Sequence, residues 1–274
     1  MSRKKNYELI WLRPEPNDRR PRLNREQITA AFLKIADREG FEAVTMKRIA
    51  SELGCGTMTL YYYVRSKADI VALMHDAILA EILIADDQIP SDWREAVAAI
   101  ARRTRDVLLA HPWSVTSLND AQFGPNAMRH MEQSLAALDG LDLEPGQKLL
   151  FWGIVDDYVF GSALHAIEAL TRTAKAESNP ALLADAMTFG RAQLQTGLFP
   201  RLATLGEIQT APEQPRRGSS GKPPVAAALA AQFERGLSAL LDGLAGGMGP
   251  GAGRSTASRE KTAKRRTATG SVYR

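Results

Sequence analysis

The chain has one cysteine, Cys55, among 274 residues, which excludes an internal disulfide framework and a cysteine metal cage. No apolar run approaches the roughly 20 residues that span a bilayer. The opening MSRKKNYELIWLRPEP is basic but lacks the apolar core and small-residue cleavage site of a secretory signal. A cytoplasmic chain with no membrane partner is therefore expected. Clean period-two alternation between turn residues is missing, which argues against a sheet. G-x-S-x-G, the phosphate-binding loop and the dinucleotide fingerprint are all absent, so no nucleophile or cofactor cradle is visible. The four histidines (His75, His111, His130, His165) stand at no metal-binding spacing, and there is no HExxH. The expectation is a protein that is not an enzyme and holds no cofactor or metal.

What is present is charge of uneven placement on an all-α pattern. Residues 1–25 hold eight Lys/Arg against three acids and residues 254–274 hold seven against one, so a chain of net +4 carries −7 between its basic ends. Such ends either contact phosphates or only solubilise. Apolar residues recur at helical spacing almost everywhere. The organisation expected is a basic arm over 1–22, a small helical domain over 23–69 and a linking helix over 67–85. A larger helical domain follows over 70–246, with a Pro/Gly/Ser-rich loop at 206–224, and a basic disordered tail closes the chain over 247–274.

The segment Thr45 to Lys67, TMKRIASELGCGTMTLYYYVRSK, carries the strongest signal. Thr45 caps a short helix and Gly54 stops it, a second helix runs from about Thr57 to Tyr63, and Ser66 with Asp69 caps a third. Ala50 and Gly54 allow two helices to cross closely. Ile49, Leu53, Cys55 and Leu60 are spaced to share a core, which leaves Thr57, Met58, Thr59, Tyr61, Tyr62 and Tyr63 as an outer face. Hydroxyls and methyls of this kind suit base edges, and Tyr and Lys suit phosphates. Core packing is the competing reading for Tyr61 and Tyr63, and a buried apolar role is the reading for Cys55.

Residues 24–78 resemble the DNA-binding domain of the TetR family of bacterial transcriptional regulators. The match is carried by Gly40-Phe41, by Thr45-Met46-x-x-Ile49-Ala50-x-x-Leu53-Gly54 and by Thr59-Leu60-Tyr61-x-Tyr63-Val64-x-Ser66-Lys67. The preceding ELIWLRPEPNDRRPRLNREQI is similar to members with a tetracycline-repressor-type C-terminal domain. The resemblance implies a homodimer that places one helix per subunit in the major groove of an operator. It puts Lys47, Thr57, Met58 and Tyr62 at base-contacting positions, and Thr45, Thr59, Tyr61, Tyr63 and Lys67 at phosphate-contacting ones. Gly56 and Thr57 replace the longer polar residues of the prototype, so its operator sequence does not carry over.

The second domain is less legible. A helix over about 146–173 is apolar on most of its circumference and is expected to be largely buried. Leu149, Trp152, Asp156, Phe160, Ala163 and Ile167 fall along one stripe, which sets a carboxylate among apolar groups. His111, Trp113, Phe123, Trp152, Asp156 and His165 are candidates to line a pocket for a small-molecule effector, with core packing or a structural hydrogen bond as the competing account of each. The family resemblance assigns the dimer face to parts of 146–173 and 225–244. The function expected is a ligand-responsive homodimeric repressor. The alternatives are an effector-independent DNA-binding regulator or activator, and, from another class, a helical enzyme or scaffold that would leave 45–67 unexplained.

Overall fold

A computed structural model describes residues 9–15, 23–117, 123–204 and 225–248. The expected tail from residue 249 on, the loop 206–224 and most of the arm 1–22 lie outside these residues. Among the described residues the protein is all helix, with no strand. The helices are α1 (Arg25–Glu39), α2 (Met46–Leu53), α3 (Thr57–Tyr61), α4 (Lys67–Ile82), α5 (Trp93–Ala110), α6 (Pro125–Ala136), α7 (Pro145–Ser178), α8 (Pro180–Gln195) and α9 (Val225–Met248). No helix among them is long and apolar enough to cross a membrane.

Local chemistry sets most of these boundaries. Asn24 and Gln27 form a reciprocal capping box at the start of α1. Thr45, Ser66, Asp92 and Asn179 each accept a hydrogen bond from a backbone N–H in the first turn of α2, α4, α5 and α8. Gly54 ends α2 in the left-handed region, at φ 63°, which a Cβ would disfavour. Several bounds differ from expectation. The chain after α3 tightens, because Tyr62 and Tyr63 bond back three residues, so the regular helix ends at Tyr61 rather than Tyr63. Between α5 and α6 the chain makes a 3-10 turn over Pro112–Thr116. α4 stops at Ile82, short of 85, and α9 runs on to Met248, into the segment read as tail.

The described residues form two compact units, one of residues up to Leu164 together with those from Glu234, the other His165–Phe233. The first holds α1–α6, most of α7 and the later part of α9. Its core joins Phe32, Ile35, Ile49, Leu60, Val64, Ile70 and Met74, all buried, to Trp113. Ile10 of the N-terminal arm is also in that core, so part of the arm is a structural strap. Arg13 pairs with the buried Asp69 at 2.5 Å, and the backbone carbonyl of Arg13 accepts from Arg25. Burial alone would raise the Asp69 carboxyl, but Arg13, the backbone N–H of Arg65 and Ser66 together hold it below its ordinary value.

In the second unit α8 buries none of its residues, and Leu182, Leu183, Met187 and Phe189 are exposed. The expectation that α7 is largely buried is corrected. Its buried side chains are Phe151, Val155, Val159, Ala163 and Ala166, one face only, while Leu149, Leu150, Leu164 and Leu170 stay exposed. A helix apolar all round needs cover on every side, and the described residues cover one.

Candidate nucleic-acid interface and internal cavity

α2 and α3 meet through Ile49, Ala50 and Leu60, with Leu53 and Cys55 packed against the same core. The turn between them is closed by Cys55 N–H donating to the Ala50 carbonyl at 3.0 Å. This arrangement leaves Met58 71% and Tyr62 73% exposed, with Tyr61 also outward. Thr45, Lys47 and Lys67 are exposed and Thr57 and Thr59 are half-buried. Lys67 sits 4.9 Å from the centre of the Phe41 ring, which steadies a cation at the start of α4. Arg48, by contrast, is held by Glu39 and Glu52 at 2.9 Å each, and its hydrogen bonds, with those of Arg38, pull the Glu39 carboxyl down to about 2. Eight of the nine residues expected at the interface therefore share accessible positions around α2, α3 and the start of α4. Tyr63 does not. It is 7% exposed, and its hydroxyl donates to the Leu23 carbonyl at 2.8 Å. Its geometry serves the core instead of a phosphate.

A cavity of about 30 Å³ lies between α5, α6 and α7 in the same unit. Val97, Ile100, Ala101 and Thr104 wall it from α5, and Phe151, Trp152, Val155, Asp156 and Val159 from α7. α6 contributes His130 and Ser134, each 6% exposed, with the His130 Nδ1 and the Ser134 Oγ unpartnered. Burial pulls the His130 imidazole down to about 4, so it is neutral at physiological pH. Burial, reinforced by the neighbouring Asp157, raises Asp156 to about 6. The cavity is thus a mostly apolar space into which His130, Ser134 and Asp156 bring polar groups and, above pH 6, one negative charge.

Of the six expected pocket residues, Trp152 and Asp156 line this cavity and the other four do not. His111 and Trp113 form a seam to α1. The His111 Nδ1 lies 2.8 Å from an Asp37 carboxylate oxygen, the Trp113 Nε1 donates to the same oxygen at 2.7 Å, and the His111 Nε2 is 3.4 Å from Glu81. Phe123 and His165 are exposed. His130 and Ser134 were missed, although their i, i+4 spacing on an amphipathic helix marks one face. The stripe Val97, Ile100, Ala101, Thr104 carries the same helical signal.

α6 is fastened at two places, to α4 and to the chain just after it. The Asp76 carboxylate accepts from the backbone N–H of Asn126 at 2.9 Å and of Ala127 at 3.2 Å, so a residue of α4 caps the N-terminus of α6. Further along, Gln133 exchanges two hydrogen bonds with the backbone of Ile84, at 2.7 and 3.1 Å.

Residues 28–74 match the family model for bacterial regulatory proteins of the tetR family, and residues 87–247 match that for the tetracyclin repressor-like C-terminal domain. The HTH-type transcriptional repressor DrrR1 of Streptomyces coeruleorubidus is 32% identical over 224 residues, covering 76% of this chain and 79% of that protein. An HTH-type transcriptional regulator of Saccharopolyspora erythraea is 33% identical over 184 residues, covering 64% and 78%. Among solved structures, the Streptomyces coelicolor TetR family protein ActR in complex with actinorhodin superposes with a TM-score of 0.64 at 25% identity, covering 83% of this chain and 98% of that one.

Proposed function

The chain belongs to the TetR family of bacterial regulatory proteins, DNA-binding transcriptional regulators rather than enzymes, and on that premise we propose that it is a homodimeric repressor released from a palindromic operator by a small organic molecule. The observation that carries the ligand-responsive part is the cavity between α5, α6 and α7, walled on one side by the helix that is fastened to α4. DrrR1 is a repressor by name and ActR has been solved both alone and with actinorhodin, which supports the same division of labour here.

The domains follow from this. Residues 23–69 read DNA through Lys47, Thr57, Met58 and Tyr62, with Thr45, Thr59, Tyr61 and Lys67 on phosphates, and residues 70–246 bind the effector and dimerise. A pocket for a drug-sized ligand holds roughly 300–1,000 Å³. The space present is about 30 Å³, so a ligand must part α5, α6 and α7 to enter. Movement of α6 loads the Asp76 cap and the Gln133 clasp, and so α4, whose first turn carries Lys67 beside α3. In a two-fold dimer that changes the separation of the two α3 helices from the about 34–36 Å that matches one turn of DNA. Release follows only if the ligand prefers the parted state.

A mobility shift on the DNA upstream of the chain's own coding sequence tests the reading. Salt-sensitive, sequence-preferring retardation is expected, reversed by molecules found in a thermal-shift screen of apolar compounds. No preference for that DNA over random sequence would sink local autoregulation. The smallness of the cavity favours one second reading, an effector-independent regulator or activator. It is supported if no compound both stabilises the chain and dissociates the complex.

A further inference from the structure

We infer that the effector is an organic amine that enters the α5–α6–α7 cavity as its cation and sets its ammonium against Asp156, with a neutral hydroxyl or carbonyl meeting His130 and Ser134. The inference rests on the ligand-responsive reading above and goes further by naming the chemistry. The geometry supplies two poles in an otherwise apolar space. Asp156 is set among Trp152, Val155 and Val159, with no hydrogen bond to another side chain among the described residues. His130 and Ser134, four residues apart on α6, each present a buried, unpartnered polar atom. A buried polar atom without a partner costs about 1–3 kcal/mol, so these two atoms, facing one cavity with the half-buried Asp156 carboxylate, favour a ligand that satisfies them.

The charge balance selects the sign. From α6 the titratable group is His130, which burial keeps neutral. From α5 the wall carries no ionisable side chain, only Thr104, whose hydroxyl is committed to the Ile100 carbonyl at 2.9 Å. Along α7 the neighbour is Asp157, another acid, whose charge disfavours a second anion. Nothing lining the cavity is positive at neutral pH, so an anionic effector would meet repulsion and no counter-charge. A cation meets Asp156 directly and has the Trp152 and Phe151 rings at hand for cation–π attraction. A single carboxylate does not make a metal site, since divalent cations need several oxygen ligands.

The test uses three probes of one shape and three charges: 1-naphthylmethylamine, 1-naphthalenemethanol and 1-naphthoate, titrated calorimetrically into the full chain at pH 7.5. The amine is expected to bind at least tenfold tighter than the alcohol, and the naphthoate weakest. Asp156→Asn should bring the amine to the level of the alcohol and leave the alcohol within about twofold, while Asp156→Glu keeps the preference. In the unaltered chain the amine should weaken about tenfold between pH 7.5 and pH 5, as a carboxyl titrating near 6 is neutralised, and this arm needs no variant. Alcohol or naphthoate binding as tightly as the amine, or an amine preference that survives Asp156→Asn, overturns the inference while leaving an effector cavity in place. Binding of none of the three removes the cavity as an effector site, and the ligand-responsive reading falls with it.

Discussion

Tyr62 and Tyr63 are adjacent, yet the first stands 73% exposed on the outer side of the helical turn and the second is buried with its hydroxyl on the Leu23 carbonyl. The two are therefore expected to fail differently. Tyr63→Phe leaves a buried carbonyl without its donor and should cost about 1 kcal/mol, seen as a lower melting temperature with operator affinity unchanged well below it. Tyr62→Ala should leave the melting temperature alone and weaken operator binding by about 1–3 kcal/mol, read in a mobility shift. The spacing of apolar residues around 45–67 showed which helices pair and set Tyr62 outward, but it left Tyr63 between core and phosphate, because the backbone tightens after α3 and turns Tyr63 inward. Asp156 carries a second residue-scale expectation. Its folded-state pKa, about 6, lies above the unfolded value near 3.9, so the native state binds the extra proton. Its contribution to stability is best below pH 4, declines as pH rises to about 6 and stays low above that. Asp156→Asn should remove that decline and raise the melting temperature at pH 7.5 by about 2–4 °C, measured by calorimetry across pH 4–8.

At the scale of elements, the caps divide by sequence distance. Asn24, Thr45, Ser66 and Asp92 each cap their own helix three residues on, a local rule that a linear reading can apply. The N-terminus of α6 has only Gly124 before it, and its cap comes from Asp76, fifty residues earlier on α4. No local pattern announces a bond of that span. The same holds for the cavity, whose Trp152 and Asp156 stand out as a polar break in an apolar stripe, while His130 and Ser134 gain meaning only once α6 packs against α5 and α7. Gly124 is part of this joint: a Cβ there would lie 2.2 Å from the Asp76 carboxylate and 2.7 Å from the Trp11 ring. Gly124→Ala should therefore displace the cap and the strap together. Asp76→Ala removes the cap alone and should destabilise by about 1–2 kcal/mol. If the cap transmits ligand entry to α4, Asp76→Ala should also bind 1-naphthylmethylamine as the unaltered chain does yet release operator DNA less completely. Unchanged release would show that the Gln133–Ile84 clasp suffices.

At the scale of the molecule, the unit His165–Phe233 has, among the described residues, apolar side chains that stay exposed. Leu182, Leu183, Met187 and Phe189 fall on one side of α8 at helical spacing, and Leu198, Phe199 and Leu202 follow. Contiguous exposed apolar groups of this extent mark an interface. On the proposed two-fold reading of DNA the partner is a second copy of the chain, and α8 is then expected to join α7 and α9 as dimer-forming surface. The stripe escaped the linear reading because a helix apolar along one side looks the same whether its cover is intramolecular or a partner. A stable two-fold contact buries about 800 Å² on each subunit, mostly around a few central apolar anchors, and two carboxylates placed there would face each other across the axis. The double variant Leu182→Glu/Phe189→Glu should therefore keep its helical signal by circular dichroism, run as a single chain in light scattering at micromolar concentration, and lose at least about a hundredfold in affinity for a palindromic site. Its affinity for an isolated half-site should change little, since α3 lies in the other unit. A variant that remains dimeric would move the interface off α8, and a monomer that still binds the full palindrome tightly would mean that the two half-sites are not read by one symmetric pair.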